Sequence, residues 1–114
     1  MIKLTDYKDQ PYNQDKNLGF MRFDFVNGNL ANSFIPSSQL KDCSDKALLQ
    51  AELNEILFEQ LGTWEQVGNF VDEMKCLQEF CADDVAFLFA ETEKFQYLIR
   101  LMPSDISKIH VFEK

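Results

Sequence analysis

Leu18-Gly19-Phe20-Met21-Arg22-Phe23-Asp24-Phe25-Val26-Asn27-Gly28-Asn29-Leu30-Ala31-Asn32-Ser33-Phe34-Ile35-Pro36 is the stretch that decides the fold. Asn27-Gly28 supplies the two positive-φ residues that a type I′ turn requires, between two runs of β-type composition. Leu18–Val26 and Leu30–Ile35 therefore read as an antiparallel hairpin, ended by Pro36. Alternation puts Met21, Phe23 and Phe25 on one face and Phe20, Arg22, Asp24 and Val26 on the other.

Upstream, Ile2–Thr5 reads as a short first strand and the polar Asp6–Asn17 as a loop. Downstream, Asp42 or Ser44 can cap a helix that runs to about Leu61 and stops at Gly62, a left-handed C-terminal position. Its buried face at 100° per residue is Leu49, Leu53, Ile56, Leu57 and Leu61. Thr63-Trp64-Glu65-Gln66 matches a capping box and opens a second helix, with Val67, Phe70, Val71, Met74, Leu77 and Cys81 inward. Asp83-Asp84 break that pattern. Val85–Ala90 and Phe95–Met102 form a second hairpin joined across Glu91–Lys94, and Lys108–Phe112 makes a final strand. The expected fold is α+β: an antiparallel β-sheet of two hairpins plus short strands, packed against a pair of α-helices in the order β-β-β-α-α-β-β-β. Residues 1–114 form a single domain large enough for its own core, with 46% hydrophobic residues and eleven Phe.

Charge is the strongest functional signal. The chain carries −8, yet Asp42–Asp84 alone carries −9, with eleven acids against Lys46 and Lys75. A field so concentrated attracts a basic partner and repels nucleic acid and anionic membrane. On the first helix Asp45, Glu52, Glu55 and Glu59 fall within an arc of about 80° beside the apolar face. Glu65, Asp72 and Glu79 make a second stripe, continued by Asp83 and Asp84. Ordinary solvated helices mix Lys with Glu at i,i+4, and such pairing is nearly absent here. Leu48 and Phe58 lie off the core face of the first helix and Phe80 off that of the second, so apolar anchors stand among the acids.

Catalytic chemistry finds no foothold. His110 is the only histidine, which leaves no Ser-His or Cys-His pair to argue and excludes multi-histidine metal sites. Glu65, Asp72 and Glu79 recur about 10 Å apart, too far to share a proton or a metal. No calcium loop or phosphate-binding glycine loop occurs, and no cofactor is implied. Cys43, Cys76 and Cys81 form no C-x-x-C pair and fit a reduced compartment; Cys43, near a helix start, is the one thiol that a helix dipole would activate. Met1–Gln10 lacks the apolar run of a secretory signal, and no run approaches about 18 apolar residues, so a soluble cytoplasmic protein is expected.

The leading expectation is a non-catalytic immunity protein or toxin inhibitor that neutralises a basic protein, a nuclease toxin being the model case, through its acidic helical face. Its site residues are Asp45, Glu52, Glu55, Glu59, Glu65, Asp72, Glu79, Asp83 and Asp84. The competing expectation is an acidic secretion chaperone or adaptor, a homodimer that binds a partner segment. Oligomeric state and strand order are left open by the sequence.

Overall fold

The computed structural model describes residues 2–6, 13–63, 65–70, 72, 86–102 and 106–114. The hairpin forms as Asn17–Val26 (β1) and Asn29–Pro36 (β2), with Asn27 at φ 52° and Gly28 at φ 80° in the turn. One helical rod of 16 residues follows (α1): an α-helix over Lys46–Glu55 that widens into a π-helix over Ile56–Leu61. Three strands complete the sheet, Ala86–Glu91 (β3), Phe95–Leu101 (β4) and Ser107–Glu113 (β5). All pairings are antiparallel, in the order β2-β1-β5-β4-β3.

The α+β class and the antiparallel sheet agree with expectation, but the element order does not. The full strands and α1 run β-β-α-β-β-β rather than starting with three strands. Of the expected strand at Ile2–Thr5, only Thr5–Asp6 pairs, against Phe89 and Leu88 at the outer edge of β3. The reason is local: the Ile2 amide donates to Glu55 Oε1 at 3.1 Å and its side chain is buried in the core, so the chain start serves the helix instead of a ladder.

Gly62 ends the helix with the expected positive φ of 62°, but at ψ −100° it lies outside the left-handed helical conformation of the expected C-terminal position. Its amide donates to the Leu57 carbonyl at 3.3 Å, an i to i−5 bond that closes the wide last turn. The N-cap is Asp45 rather than Asp42 or Ser44, and its carboxylate turns to Lys94 instead of a free amide. The Thr63 capping box forms: its amide donates to Gln66 Oε1 at 3.0 Å, and the Gln66 amide donates to Thr63 Oγ1 at 3.3 Å. Residues 65–70 and 72 are helical, while Val71, Met74, Cys76, Leu77, Phe80 and Cys81 lie outside the described residues. Replacing Thr63 by Ala should lower stability by about 1 kcal/mol through loss of this cap. Urea unfolding checks it; an unchanged midpoint would show that the turn contributes nothing.

All five expected helix positions, Leu49, Leu53, Ile56, Leu57 and Leu61, are buried. They share one core with Met21, Phe23, Leu88, Tyr97, Ile99, Ile109 and Val111 from one sheet face. Each fully buried aliphatic or aromatic side chain there is worth about 2 kcal/mol. The sheet therefore has an inner face closed by α1 and an outer face turned away from it. No helix among the described residues is long and apolar enough to cross a membrane.

Candidate functional site

The helix and the β3–β4 turn meet at a cavity of about 480 Å³. Its walls bring Glu52 and Glu55 of α1 together with Glu91 and Glu93 of the turn, and add Leu48 and Lys3. The pairing of Glu91 with Gln96 sets the turn, whose Thr92 amide donates back to the Phe95 carbonyl at 3.0 Å. The hydroxyl of Thr92 donates to Glu52 Oε1 at 3.1 Å and so ties the turn to the helix.

Each acid has a distinct state. Glu52 is 8% exposed, which corrects the expectation of a solvent-facing member of the stripe. Its Oε2 is buried and makes no hydrogen bond, as does the Tyr97 hydroxyl. Burial first, and then the Glu52 carboxylate, hold the Tyr97 phenol protonated far above its ordinary range. Glu55 is half-buried and accepts from the Ile2 amide. Glu91 pairs with Lys114, whose ammonium also donates to the Thr92 carbonyl at 3.1 Å. Glu93 is exposed. Just beyond the turn, Asp45 accepts from Lys94 Nζ at 2.6 Å, which raises the lysine above its ordinary range.

The remaining expected site residues divide simply. Glu59, Glu65 and Asp72 are exposed on the helical side, and Glu79, Asp83 and Asp84 lie outside the described residues. The apolar anchors expected on the first helix are present, with Phe58 55% and Leu48 39% exposed. Leu48 stands in the cavity wall itself. Glu91 and Glu93 escaped the sequence reading because they sit forty residues from Glu52. Their one signal is the acid-rich Glu91-Thr92-Glu93-Lys94 turn.

Cys43 corrects another expectation. It is buried, and burial pushes its thiol up; a hydrogen bond with the Asp45 backbone opposes that shift and Glu113 adds to it. A thiol so placed is a packing group rather than a nucleophile. His110 is half-buried on the outer sheet face, 5.6 Å from the Phe20 ring centroid. Burial, then the charges of Arg100 and Lys108, push its imidazole below its ordinary range.

The arrangement suits recognition of a cation. Glu52, Glu55 and Glu91 are held in place by Thr92, Ile2 and Lys114, and a concave rim of carboxylates beside an aliphatic side chain has the chemistry to accommodate a charged head and its methylene stem. Comparison with known protein families, curated proteins and solved structures finds no match.

Proposed function

We propose that this chain is a non-catalytic binding protein that captures and neutralises a basic protein, in the manner of an immunity protein or toxin inhibitor. The observation that carries the reading is the cavity between α1 and the β3–β4 turn, where, among the described residues, four glutamates meet with Lys3 as the one cation in the wall and Lys114 pairing with Glu91. A lysine or arginine of the partner enters there, and the exposed acids Glu59, Glu65 and Asp72 extend the contact along the helical side. Charge of this kind raises association rate and rejects acidic competitors more than it adds affinity. Its strength falls with salt, because the Debye length shrinks from about 10 Å at 0.1 M to about 3 Å at 1 M.

The test compares capture of basic proteins from host lysate by the wild-type chain and by the Glu55→Gln/Glu93→Lys variant, at both salt concentrations, with mass-spectrometric identification. The reading expects one basic protein held at low salt, released at high salt and bound at least about tenfold more weakly by the variant. Glu52 stays intact, since a lysine there would disturb the core. Capture that survives both the variant and high salt overturns the reading, and salt-resistant self-association would favour the homodimeric chaperone.

A further inference from the structure

The outer face of the sheet carries charge of the opposite sign. In the strand register Arg22 of β1 lies opposite Lys108 of β5, and Lys108 lies opposite Arg100 of β4. Both arginines of this acidic chain therefore stand in one row with a lysine, across three adjacent strands. Among the described residues the ion pairs are those of Lys94 and Lys114, so this row has no carboxylate partner there. Arg100 is half-buried, and its Nε is itself buried and without a hydrogen bond, so a partner would meet the outer end of the guanidinium. On one side the adjoining row is apolar or aromatic, Ile35, Phe20, His110, Leu98 and the buried Phe89 following one another across all five strands. On the other, Asp24 follows Arg22 along β1, its Oδ1 accepting from the Phe25 amide at 2.8 Å.

Two geometric facts narrow what fits. Lys108 Nζ lies 5.2 Å from the Phe20 ring centroid and Arg100 Cζ lies 5.5 Å from that of Phe87. These rings are already faced by cations, which makes them poor platforms for stacked bases. Adjacent strands are about 4.8 Å apart, so the row spans about 10 Å. A helix rising about 1.5 Å per residue covers that distance in seven residues, and acids at i, i+4 and i+7 of one face match three cations. An extended peptide offers same-face side chains about 6.6 Å apart and falls out of step.

We infer that the outer sheet face is a second docking surface, which receives an acidic α-helix of a protein partner on the row Arg22, Lys108 and Arg100. The helix lies across the strands, with its carboxylates on the cations and its flanking apolar side chains on Phe20 and Ile35. The molecule thus presents an acidic cavity on its helical side and a basic row on the reverse of the sheet, and the two surfaces take partners of opposite charge.

The test uses a fluorescein-labelled, alanine-based helical peptide with glutamates at i, i+4 and i+7, its glutamine isomer and a short oligothymidylate, read by anisotropy. The glutamate peptide should bind at least about tenfold tighter than the glutamine isomer. Arg22→Gln/Lys108→Gln should abolish that preference, and Arg22→Lys/Lys108→Arg should keep it. Circular dichroism of each variant separates lost binding from lost fold. Equal binding of the two peptides, absence of binding, or a preference that survives the neutralising variant overturns the inference. So does tighter binding of the oligothymidylate, or self-association in sedimentation that the same variant removes.

Discussion

Gly19→Ala should destabilise the protein by about 3 kcal/mol, which lowers Tm by roughly 10–15 °C in a domain of this size. Gly19 adopts φ +127°, a conformation that L side chains rarely enter. Its strand is bulged: Asn17 faces Phe112 and Gly19 faces Val111, so Leu18 is extra. The Gly19 amide donates to Asn17 Oδ1, two residues earlier in the strand, at 2.7 Å, and the Leu18 carbonyl accepts from the Ser37 amide at 3.0 Å. A Cβ at position 19 would stand 2.9 Å from Pro36 Cα and 3.0 Å from Ser37 N, with the Ile35 carbonyl oxygen closer still. These are backbone atoms of the paired strand, so relief requires breaking the end of the β1–β2 ladder. Overpacking of that kind costs about 1–3 kcal/mol beyond the backbone strain. Gly28→Ala is the control: it has φ +80° with no atom within 4 Å, so it bears strain alone. Thermal melts of the two variants decide the matter. Equal losses would show that the bulge is not crowded.

The second large effect is alkaline. Tyr97 is fully buried, and its phenol is held protonated by burial and by Glu52. The unfolded chain releases that proton near pH 10, while the folded chain keeps it. Above about pH 10 the unfolded state therefore binds fewer protons, and stability falls by up to about 1.4 kcal/mol per pH unit. Tyr97→Phe should remove this slope, so that the variant overtakes the wild type by about 2 kcal/mol near pH 12. At neutral pH the difference should be smaller than this, because the phenol is protonated in both states and only the burial of a poorly satisfied hydroxyl is relieved. Urea titrations across the alkaline range compare the two proteins. Parallel curves would show that another group governs the alkaline loss.

What the sequence could and could not convey follows from the range of each interaction. Asn27-Gly28 needs nothing beyond its own backbone, and the hairpin appears within a residue or so of expectation. The periodicity of Leu49, Leu53, Ile56, Leu57 and Leu61 is equally local, and the widening to a π-helix does not move the apolar side chains out of the core. Glu52 is different. Its place beside the apolar face was legible, but its burial depends on Thr92 and Tyr97, which arrive from another hairpin. Likewise, that Arg22 shares a strand face with Phe20 is legible from alternation. That Lys108 and Arg100 complete its row follows from strand order, set by contacts between residues far apart in the chain.

The two borders of the sheet have unequal fates. At β3, Thr5–Asp6 covers part of the outer ladder, whereas β2 is paired on one side only among the described residues. Asn29–Pro36 contains no charged side chain, and Pro36 comes only at its end. Such a border is a template for strand addition between copies. Colloidal repulsion from a net −8 opposes such contact at neutral pH, so the chain's acidity works against aggregation. Near the isoelectric point of about 4.5 that repulsion is lost, and strand addition at β2, which is unpaired on its outer side among the described residues, should then appear as a rise in light scattering.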